Sequence, residues 1–147
     1  MQINDLTPAA MQAAAQAIGD GPVVMVNLLW FRDAPDYPEG FDDPKPDARS
    51  AYFEGYAGAF RAIAWEQSVT AQLVYVGHRL HGLLAGPDED WDAIVIVRYE
   101  RFADLRRIVE SEAYSRTASP HRRAAIANWR FFATRAPLGI PAPETSG

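Results

Sequence analysis

The residues best suited to chemistry are His121 and Arg122, which directly follow Ser119 and Pro120. A Ser-Pro pair is typical of a helix start, with serine as the cap and proline at the first helical position. The free backbone N–H groups of a first helical turn, together with an arginine, favour an anionic guest. A histidine there can act as a general acid or base, and the arginine can fix a carboxylate. We therefore predict that His121 and Arg122 are catalytic. The alternative is an ordinary helix start at the surface.

Asn27 is the one polar residue in an apolar stretch, PVVMVNLLWF, that occupies residues 22–31. A buried amide must have its donors and its acceptor satisfied. One interpretation is a hydrogen bond from Asn27 to a ligand carbonyl or oxyanion in a pocket. The other is a structural amide that ties two strands or a dimer together, and the sequence favours neither.

Four aromatic residues complete the predicted substrate-binding set. Tyr52, Tyr56 and Tyr114 can each pack an apolar ring and still point a hydroxyl into a cavity. Trp91 stands at the predicted entrance of a strand and is interpreted as an aromatic plug. We predict that these four residues and Asn27 bind the substrate. For the tyrosines, core packing alone is the alternative.

The remaining histidines, His78 and His81, raise the question of a metal site. Residues three apart on a strand point to opposite faces, so these two could chelate one ion only across a bulge at Gly77 or Gly82. We expect no metal site. The sequence has no cysteine and no phosphate-binding or dinucleotide-binding glycine motif. We therefore expect no cofactor. Haem is the less favoured alternative, and it would require a histidine that faces the pocket.

Composition limits the class of protein and its partners. The 147 residues carry a formal net charge of −5, which disfavours nucleic acid as a partner. The chain starts with a polar segment and has no apolar run of about 20 residues, so neither a secretory signal nor a membrane span is predicted. We expect a cytoplasmic protein with one domain over 1–135, a core at 22–134 and a proline-rich tail at 136–147.

The hydrophobic pattern predicts an α+β protein. A short helix from Thr7-Pro8 to Gly19 is interpreted as an appendage. The remaining elements are a strand at 22–31, a helix from Ser50 to about Gln67, strands at 71–84 and 91–99, a helix at 100–111 that restarts at Ser119 and runs through Asn128, and a strand at 129–134. This β-α-β-β-α-β order is the ferredoxin-like, split βαβ arrangement. The loop at 32–49 has four prolines and six acidic residues, and it is interpreted as a lid, a partner-binding segment or a solvated insertion.

The residues on the two faces of the first predicted strand indicate what each face packs against. One face, which is fit to pack on helices, consists of Val24, Val26, Leu28 and Trp30. The other consists of Val23, Met25, Asn27, Leu29 and Phe31. This second face is too apolar for water, and a second copy of the sheet is its simplest cover. We therefore predict a homodimer.

The chain resembles the longer branch of the family called domain of unknown function 1330, in the dimeric α/β-barrel superfamily. The residues that carry the resemblance are, in order, VNLL at 26–29, Tyr52 and Tyr56, YVG at 75–77, WDAIVIVRY from Trp91, SEAY at 111–114 and PHRRAAI at 120–126. Where the family usually reads Ser-Pro-Glu-Tyr, this chain has Ser-Glu-Ala-Tyr. The resemblance implies two sheets packed into a barrel across a dimer axis, with a pocket in each protomer between sheet and helices. It implies no reaction, because that family is largely uncharacterised. Relatives in the wider superfamily include cofactor-free monooxygenases, lactone isomerases, haem-degrading enzymes and stress-response barrels.

Three functions are compatible with these observations. The first is a small cofactor-independent enzyme, monooxygenase- or isomerase-like, that acts on a small aromatic or carbonyl compound through an acid/base histidine and an amide or tyrosine clamp. The alternative is a non-catalytic small-molecule-binding or stress-response dimer with the same pocket. The third is a structural dimer whose apolar surface serves only assembly.

Overall fold

The fold is a mixed α+β arrangement, which a computed structural model describes over residues 5–137. Its elements are α1 (Pro8–Ile18), β1 (Val23–Phe31), α2 (Ala48–Ser50), the π-helix π1 (Ala51–Tyr56), α3 (Ala57–Glu66), β2 (Ala71–His78), β3 (Ala93–Tyr99), α4 (Phe102–Val109), the π-helix π2 (Tyr114–Ala118), α5 (Ser119–Ala125) and β4 (Ile126–Thr134). The predicted β-α-β-β-α-β order is therefore present after α1. Most of the predicted tail at 136–147 lies outside the described residues.

The four strands form one antiparallel sheet in the order β2-β3-β1-β4. β1 lies in its centre, because it pairs with β3 from Val23 opposite Tyr99 to Leu29 opposite Ala93, and with β4 on its other side. Val and Ile make up four of the seven residues of β3, and β1 has three Val beside Leu, Met and aromatic residues; such β-branched and aromatic side chains fit the pleated surface of a sheet. The stretch that the pattern identified as a buried strand is thus the one that organises the sheet.

The predicted assignment of the two faces of β1 is wrong. Burial alternates along the strand, and the buried set is Val23, Met25, Asn27, Leu29 and Phe31. The apolar members of this set pack into the two core clusters together with helical residues. The alternate residues, Val24, Val26, Leu28 and Trp30, are half-buried. They form the face that the helices leave open, since successive side chains of a strand point to opposite sides.

The first helix is part of the core and not an appendage. It begins and ends as predicted: the Thr7 hydroxyl oxygen accepts a hydrogen bond from the Ala10 N–H (3.1 Å), and Gly19 ends the helix at a φ of 69°. Met11 is only 4% exposed and belongs to the same core cluster as residues of α4. The small alanine-rich face of α1 therefore lets this helix pack against α4.

Several boundaries differ from the predictions. The second helical segment begins at Ala48 because Asp47 caps it, accepting a hydrogen bond from the Ser50 N–H (2.8 Å). β2 ends at His78 and not at residue 84, and its bulge lies between Leu73 and Tyr75 instead of at a glycine. α5 ends at residue 125, so the last strand starts at residue 126 and not at 129.

Candidate functional site

A cavity of about 240 Å³ lies between the sheet and the helical layer. The side chains that matter most for its chemistry are Asn27, Tyr52, Tyr56, Phe60, Arg61 and Trp129. Two further lining residues on the edge strand β2, Leu73 and Val76, are 60% and 36% exposed. The cavity is thus mainly apolar and aromatic, and it has exposed residues along β2.

The π-helix π1 supplies the two tyrosines of the cavity wall. Tyr52 and Tyr56 are stacked, with ring centres 5.1 Å apart and an angle of 28° between the planes. π-Helical turns inside longer helices are frequent at functional sites. Together with Asn27, these are three of the five predicted substrate-binding residues, and the structure brings them together at one cavity.

A chain of hydrogen bonds leads from Tyr56 to a buried cation. The hydroxyl oxygens of Tyr56 and Tyr114 are 2.9 Å apart, and Arg122 donates from Nε to the Tyr114 hydroxyl oxygen (3.2 Å). Arg122 is 3% exposed, and its guanidinium lies 4.9 Å from the ring centre of Trp129 and 3.5 Å from the Asp5 carboxylate. Tyr114 and Arg122 do not line the cavity themselves. They therefore stand behind Tyr56.

The cavity tyrosines stay protonated at neutral pH. Burial raises the pKa of Tyr56 well above its usual value, and the neighbouring hydroxyls of Tyr114 and Tyr52 act in the same direction. Burial also raises the pKa of Tyr52, again with a contribution from Tyr114. The charge of Arg122 opposes both effects without reversing them. Both phenols can therefore donate hydrogen bonds to a ligand, and neither is a base at neutral pH.

Asn27 connects the central strand to both of its neighbours. Its side-chain N–H donates to the carbonyl oxygen of Val95 on β3 (3.0 Å), and its carbonyl oxygen accepts from the indole N–H of Trp129 on β4 (2.9 Å). The residue is 6% exposed. These bonds support the structural interpretation of Asn27, although the side chain is also part of the cavity wall.

His121 does not line the cavity. The loop before α2 covers this histidine. The residue is 8% exposed, with Nδ1 2.7 Å from the Tyr37 hydroxyl oxygen and its ring edge-on to Tyr37 and Phe41. Burial lowers its pKa, the charge of Lys45 acts in the same direction, and Asp43 opposes them. His121 is therefore neutral at pH 7 and separated from the cavity residues.

The free helix start expected at Ser119 is absent, because π2 runs directly into α5. The Ser119 N–H donates to the carbonyl oxygen of Tyr114, so it is not available to an anion. The two predicted catalytic residues are also separated by this arrangement. Arg122 donates a hydrogen bond to Tyr114, whereas His121 contacts Tyr37 in the loop at 32–47.

Trp91 lies away from the cavity. Its ring is edge-on to Trp30, a residue of the open sheet face, at 5.9 Å, and the guanidinium of Arg130 is 5.4 Å from its ring centre.

His78 lies at the end of β2, where its Nδ1 is 2.8 Å from a guanidinium nitrogen of Arg49. Within residues 5–137 no cluster of three or more His, Asp or Glu side chains is arranged to hold a metal ion. In the same range, no helix is sufficiently long and apolar to cross a bilayer.

Sequence reasoning missed two cavity residues that matter chemically. Arg61 is exposed on α3 and is the only charged residue among the described residues that line the cavity. Nothing in its sequence neighbourhood marks it. Trp129 was assigned only to a strand, yet a buried indole N–H needs an acceptor. A buried Asn27 needs a donor for its side-chain carbonyl oxygen, and this requirement could have pointed to the indole of Trp129.

No protein-family model matches the chain, and no curated protein matches it. Among solved structures, it is similar to the RPA0582 protein of Rhodopseudomonas palustris, described as a protein of unknown function, and to a methylated form of the RPA0582 protein. Both are 25% identical with a TM-score of 0.76, and the match covers 95% of this chain and 98–100% of theirs.

More distant matches are a dabb-family protein with a ferredoxin-like fold from Mesorhizobium loti and a dimeric protein of unknown function with a ferredoxin-like fold from Bacteroides fragilis. They are 9% and 14% identical, and both have a TM-score of 0.48. The matches cover 82% and 78% of this chain and 100% and 96% of theirs. The chain thus shares its fold with the RPA0582 protein over almost its whole length, and the comparisons assign no activity.

Proposed function

We propose that this protein binds a small, largely apolar molecule in the cavity between its sheet and its helices. The observation that carries the proposal is the volume of about 240 Å³ with aromatic walls. An apolar cavity of about 150 Å³ is large enough to take up benzene, so a substituted aromatic ring fits here. The polar groups of the wall that would orient a carbonyl or a hydroxyl of the ligand are few: Asn27, Arg61 and the hydroxyls of Tyr52 and Tyr56.

The position of His121 favours binding over catalysis. Its imidazole is enclosed by Tyr37 and Phe41 and does not line the cavity. None of the three histidines lines it, so the histidine that a haem-dependent variant requires is not at the proposed site. The binding proposal needs no cofactor.

The second candidate is a cofactor-independent enzyme, monooxygenase- or isomerase-like, that acts on a small aromatic or carbonyl compound. The observation that favours it is the chain from Arg122 through Tyr114 to Tyr56. A protonated phenol in such a chain could act as a general acid or stabilise an oxyanion. Turnover that is lost in Tyr56→Phe, with ligand affinity retained, would distinguish this candidate from simple binding.

A pair of variants on one helix tests the proposed cavity. Ala57 lines the cavity, whereas Ala62 on the same helix is exposed. We would screen small phenols and aromatic carbonyl compounds by native mass spectrometry and by quenching of the tryptophan fluorescence, to which Trp129 in the cavity wall contributes. Ala57→Leu fills the cavity and should abolish binding of a compound found in this way, whereas Ala62→Leu should bind it like the wild type. Binding that survives Ala57→Leu unchanged would place the ligand elsewhere.

We also propose that two copies pair through the open face of the sheet. This face carries apolar side chains from all four strands: Val26, Leu28, Tyr75, Ile94, Ile96 and Phe132. Ile94, Tyr75 and Phe132 are 39%, 55% and 53% exposed. Monomeric proteins rarely expose a large contiguous apolar patch. The same face of a second copy, related by a twofold axis, would cover it.

The proposed family is the longer branch of domain of unknown function 1330. The support is the order of the VNLL, YVG and WDAIVIVRY segments along the chain. The cavity between sheet and helices is also where the resemblance implies a pocket. Because that family is largely uncharacterised, the proposal adds no reaction to the binding role.

A further inference from the structure

We propose that the cavity takes an uncharged ligand with a carbonyl group, whose oxygen accepts a hydrogen bond from the hydroxyl of Tyr52. The inference rests on the proposed function, because it names the chemical class of the molecule that the cavity binds and the residue that holds it. It follows from a buried hydroxyl without a protein partner, from the excess of donors in the wall and from the cost of a charge at this place.

The Tyr52 hydroxyl has no hydrogen-bond partner within the described residues 5–137. Its ring is stacked on Tyr56 and edge-on to Phe53, so aromatic contacts hold the side chain in the cavity wall. The residue is only 6% exposed. The hydroxyl of Tyr56, by contrast, has that of Tyr114 at 2.9 Å. Because buried polar groups are normally hydrogen-bonded, the Tyr52 hydroxyl is a group that a bound molecule would satisfy.

Free donors near Tyr52 outnumber free acceptors. Asn27 donates one amide N–H to Val95 and accepts from the indole of Trp129, so one N–H of its amide is left. Tyr52 belongs to the same core cluster as Val95 and Trp129. Arg61 can only donate, and no carboxylate or imidazole is present among the described residues that line the cavity. A ligand that supplies an acceptor therefore satisfies more of the wall than one that supplies a donor.

The surroundings of Tyr52 disfavour a charge on the ligand. Burial raises the pKa of Tyr52, and the charge of Arg122 opposes this effect without reversing it. The same burial acts on a group bound beside Tyr52, so a carboxylate or a phenolate there would lose solvation that the wall does not replace. Arg61 offers little compensation, because it is exposed to solvent. The carbonyl group of a ketone, an aldehyde or an ester provides the acceptor without the charge.

A second phenol, Tyr99 on β3, provides a comparison within the same cavity. It also lines the cavity, is 3% exposed and has no hydrogen-bond partner in the described part of the chain. Tyr99 belongs to the other core cluster, with Met25 and Leu105, whereas Tyr52 lies in the cluster that holds the partners of Asn27. We therefore place the carbonyl at Tyr52 and expect the hydroxyl of Tyr99 to contribute less.

Ligands with one phenyl ring separate these features. Acetophenone carries the carbonyl, the corresponding alcohol has a hydroxyl on the same carbon skeleton, benzoate carries a charge, and ethylbenzene has no oxygen. Titration calorimetry gives the dissociation constant of each. We expect acetophenone to bind the wild-type protein more tightly than the alcohol or benzoate. The infrared carbonyl stretch of bound acetophenone should lie at a lower frequency than in hexane, because a hydrogen bond weakens the C=O bond.

Removal of single hydroxyls locates the donor. Tyr52→Phe should weaken binding of acetophenone about fivefold, the effect of one hydrogen bond between neutral groups. It should also return the carbonyl stretch towards its frequency in hexane and leave the affinity for ethylbenzene unchanged. Tyr99→Phe is the matched control inside the cavity. Tyr37→Phe is the control outside it, because it removes a hydroxyl that bonds His121. Both controls should leave the carbonyl stretch as in the wild type.

The outcomes separate this inference from the proposed function. If neither acetophenone nor ethylbenzene binds, both are overturned. If they bind but the carbonyl stretch equals that in hexane, or if its shift survives Tyr52→Phe, only the inference fails and the binding role of the cavity stands. Tighter binding of benzoate or of the alcohol would overturn the choice of an uncharged carbonyl. Because the Tyr52 hydroxyl bonds no other described residue, Tyr52→Phe should fold like the wild type, and the infrared shift in the wild type tests the inference without any variant.

Discussion

The imidazole of His121 lies directly against the backbone of Gly55, where a side chain would have no room. A Cβ atom on Gly55 would come within 2.6 Å of the His121 Cγ and 2.8 Å of its Cε1. The ring has little freedom to move away, because Tyr37 and Phe41 pack edge-on against it. The absence of a side chain at Gly55 therefore lets π1 and α5 pack closely enough to bury the histidine.

Gly55→Ala should destabilise the protein by about 1–3 kcal/mol, the usual cost of overpacking a core. Gly58→Ala is the matched control, since a Cβ there meets nothing within 4 Å. We expect it to be neutral or to stabilise the protein by up to about 1 kcal/mol, because alanine is the better helix former. Urea denaturation of both variants measures the difference. Equal effects of the two substitutions would show that the contact with His121 is not restrictive.

Burial of His121 links stability to pH. Burial lowers its pKa in the folded protein, whereas a histidine in an unfolded chain titrates near pH 6.5. Between these two pKa values the unfolded chain binds a proton that the folded chain does not. The contribution of His121 to the free energy of unfolding should thus be fully present above about pH 6.5 and should decrease as the pH falls through the folded-state pKa.

Urea denaturation between about pH 8 and pH 5 tests this link. The wild type should lose stability towards the acidic end, and His121→Gln should show a smaller loss over the same interval. His81→Gln is the control, because His81 is exposed in the loop after β2. An acid dependence that is the same in His121→Gln and in the wild type would assign it to other groups.

The sequence predicted the order of the elements because their hydrophobic periodicity is strong. Phe102, Leu105 and Ile108 repeat at helical spacing, and all three are buried in α4 as expected. The periodicity could not orient β1, since both of its faces are apolar. Asn27 was no guide either, because its amide finds partners inside the core, Val95 and Trp129, that are remote in the sequence.

The candidate site was predictable only in part, for a geometric reason. Tyr52 and Tyr56 are four residues apart on one helical segment, so their shared face could be inferred. His121 and Arg122 are adjacent, and neighbouring residues of a helix point about 100° apart. They consequently contact different parts of the fold. The link from Arg122 to Tyr56 depends on Tyr114 in π2, and its geometry cannot be derived from sequence spacing.

The bonds of Asn27 predict a large effect of its removal. Asn27→Ala leaves the buried indole N–H of Trp129 without its acceptor and removes a donor from the Val95 carbonyl. A buried polar group that loses its partner costs about 1–3 kcal/mol, so we expect a loss of stability at the upper end of this range. Denaturation in urea measures it.

A double-mutant cycle isolates the bond between the two side chains. Trp129→Phe removes the indole donor and keeps an aromatic ring, and it should couple to Asn27→Ala by about 1 kcal/mol. Additive effects of the two substitutions would mean that the 2.9 Å contact contributes nothing to stability. Asn27 would then owe its effect to the bond with Val95 alone.

The open sheet face predicts the oligomeric state. Phe132 lies on the edge strand β4, opposite Val26 of the open face, and is 53% exposed in a single chain. If a second copy covers it, Phe132→Lys places a charge in an apolar interface without a partner and should yield monomers. Trp65→Lys is the control, because Trp65 is 86% exposed on α3, in the helical layer, and its replacement should leave the dimer intact. Light scattering coupled to gel filtration measures both masses. A wild-type protein that is monomeric at micromolar concentration, or a Phe132→Lys variant that remains dimeric, would show that the second copy does not bind at this face.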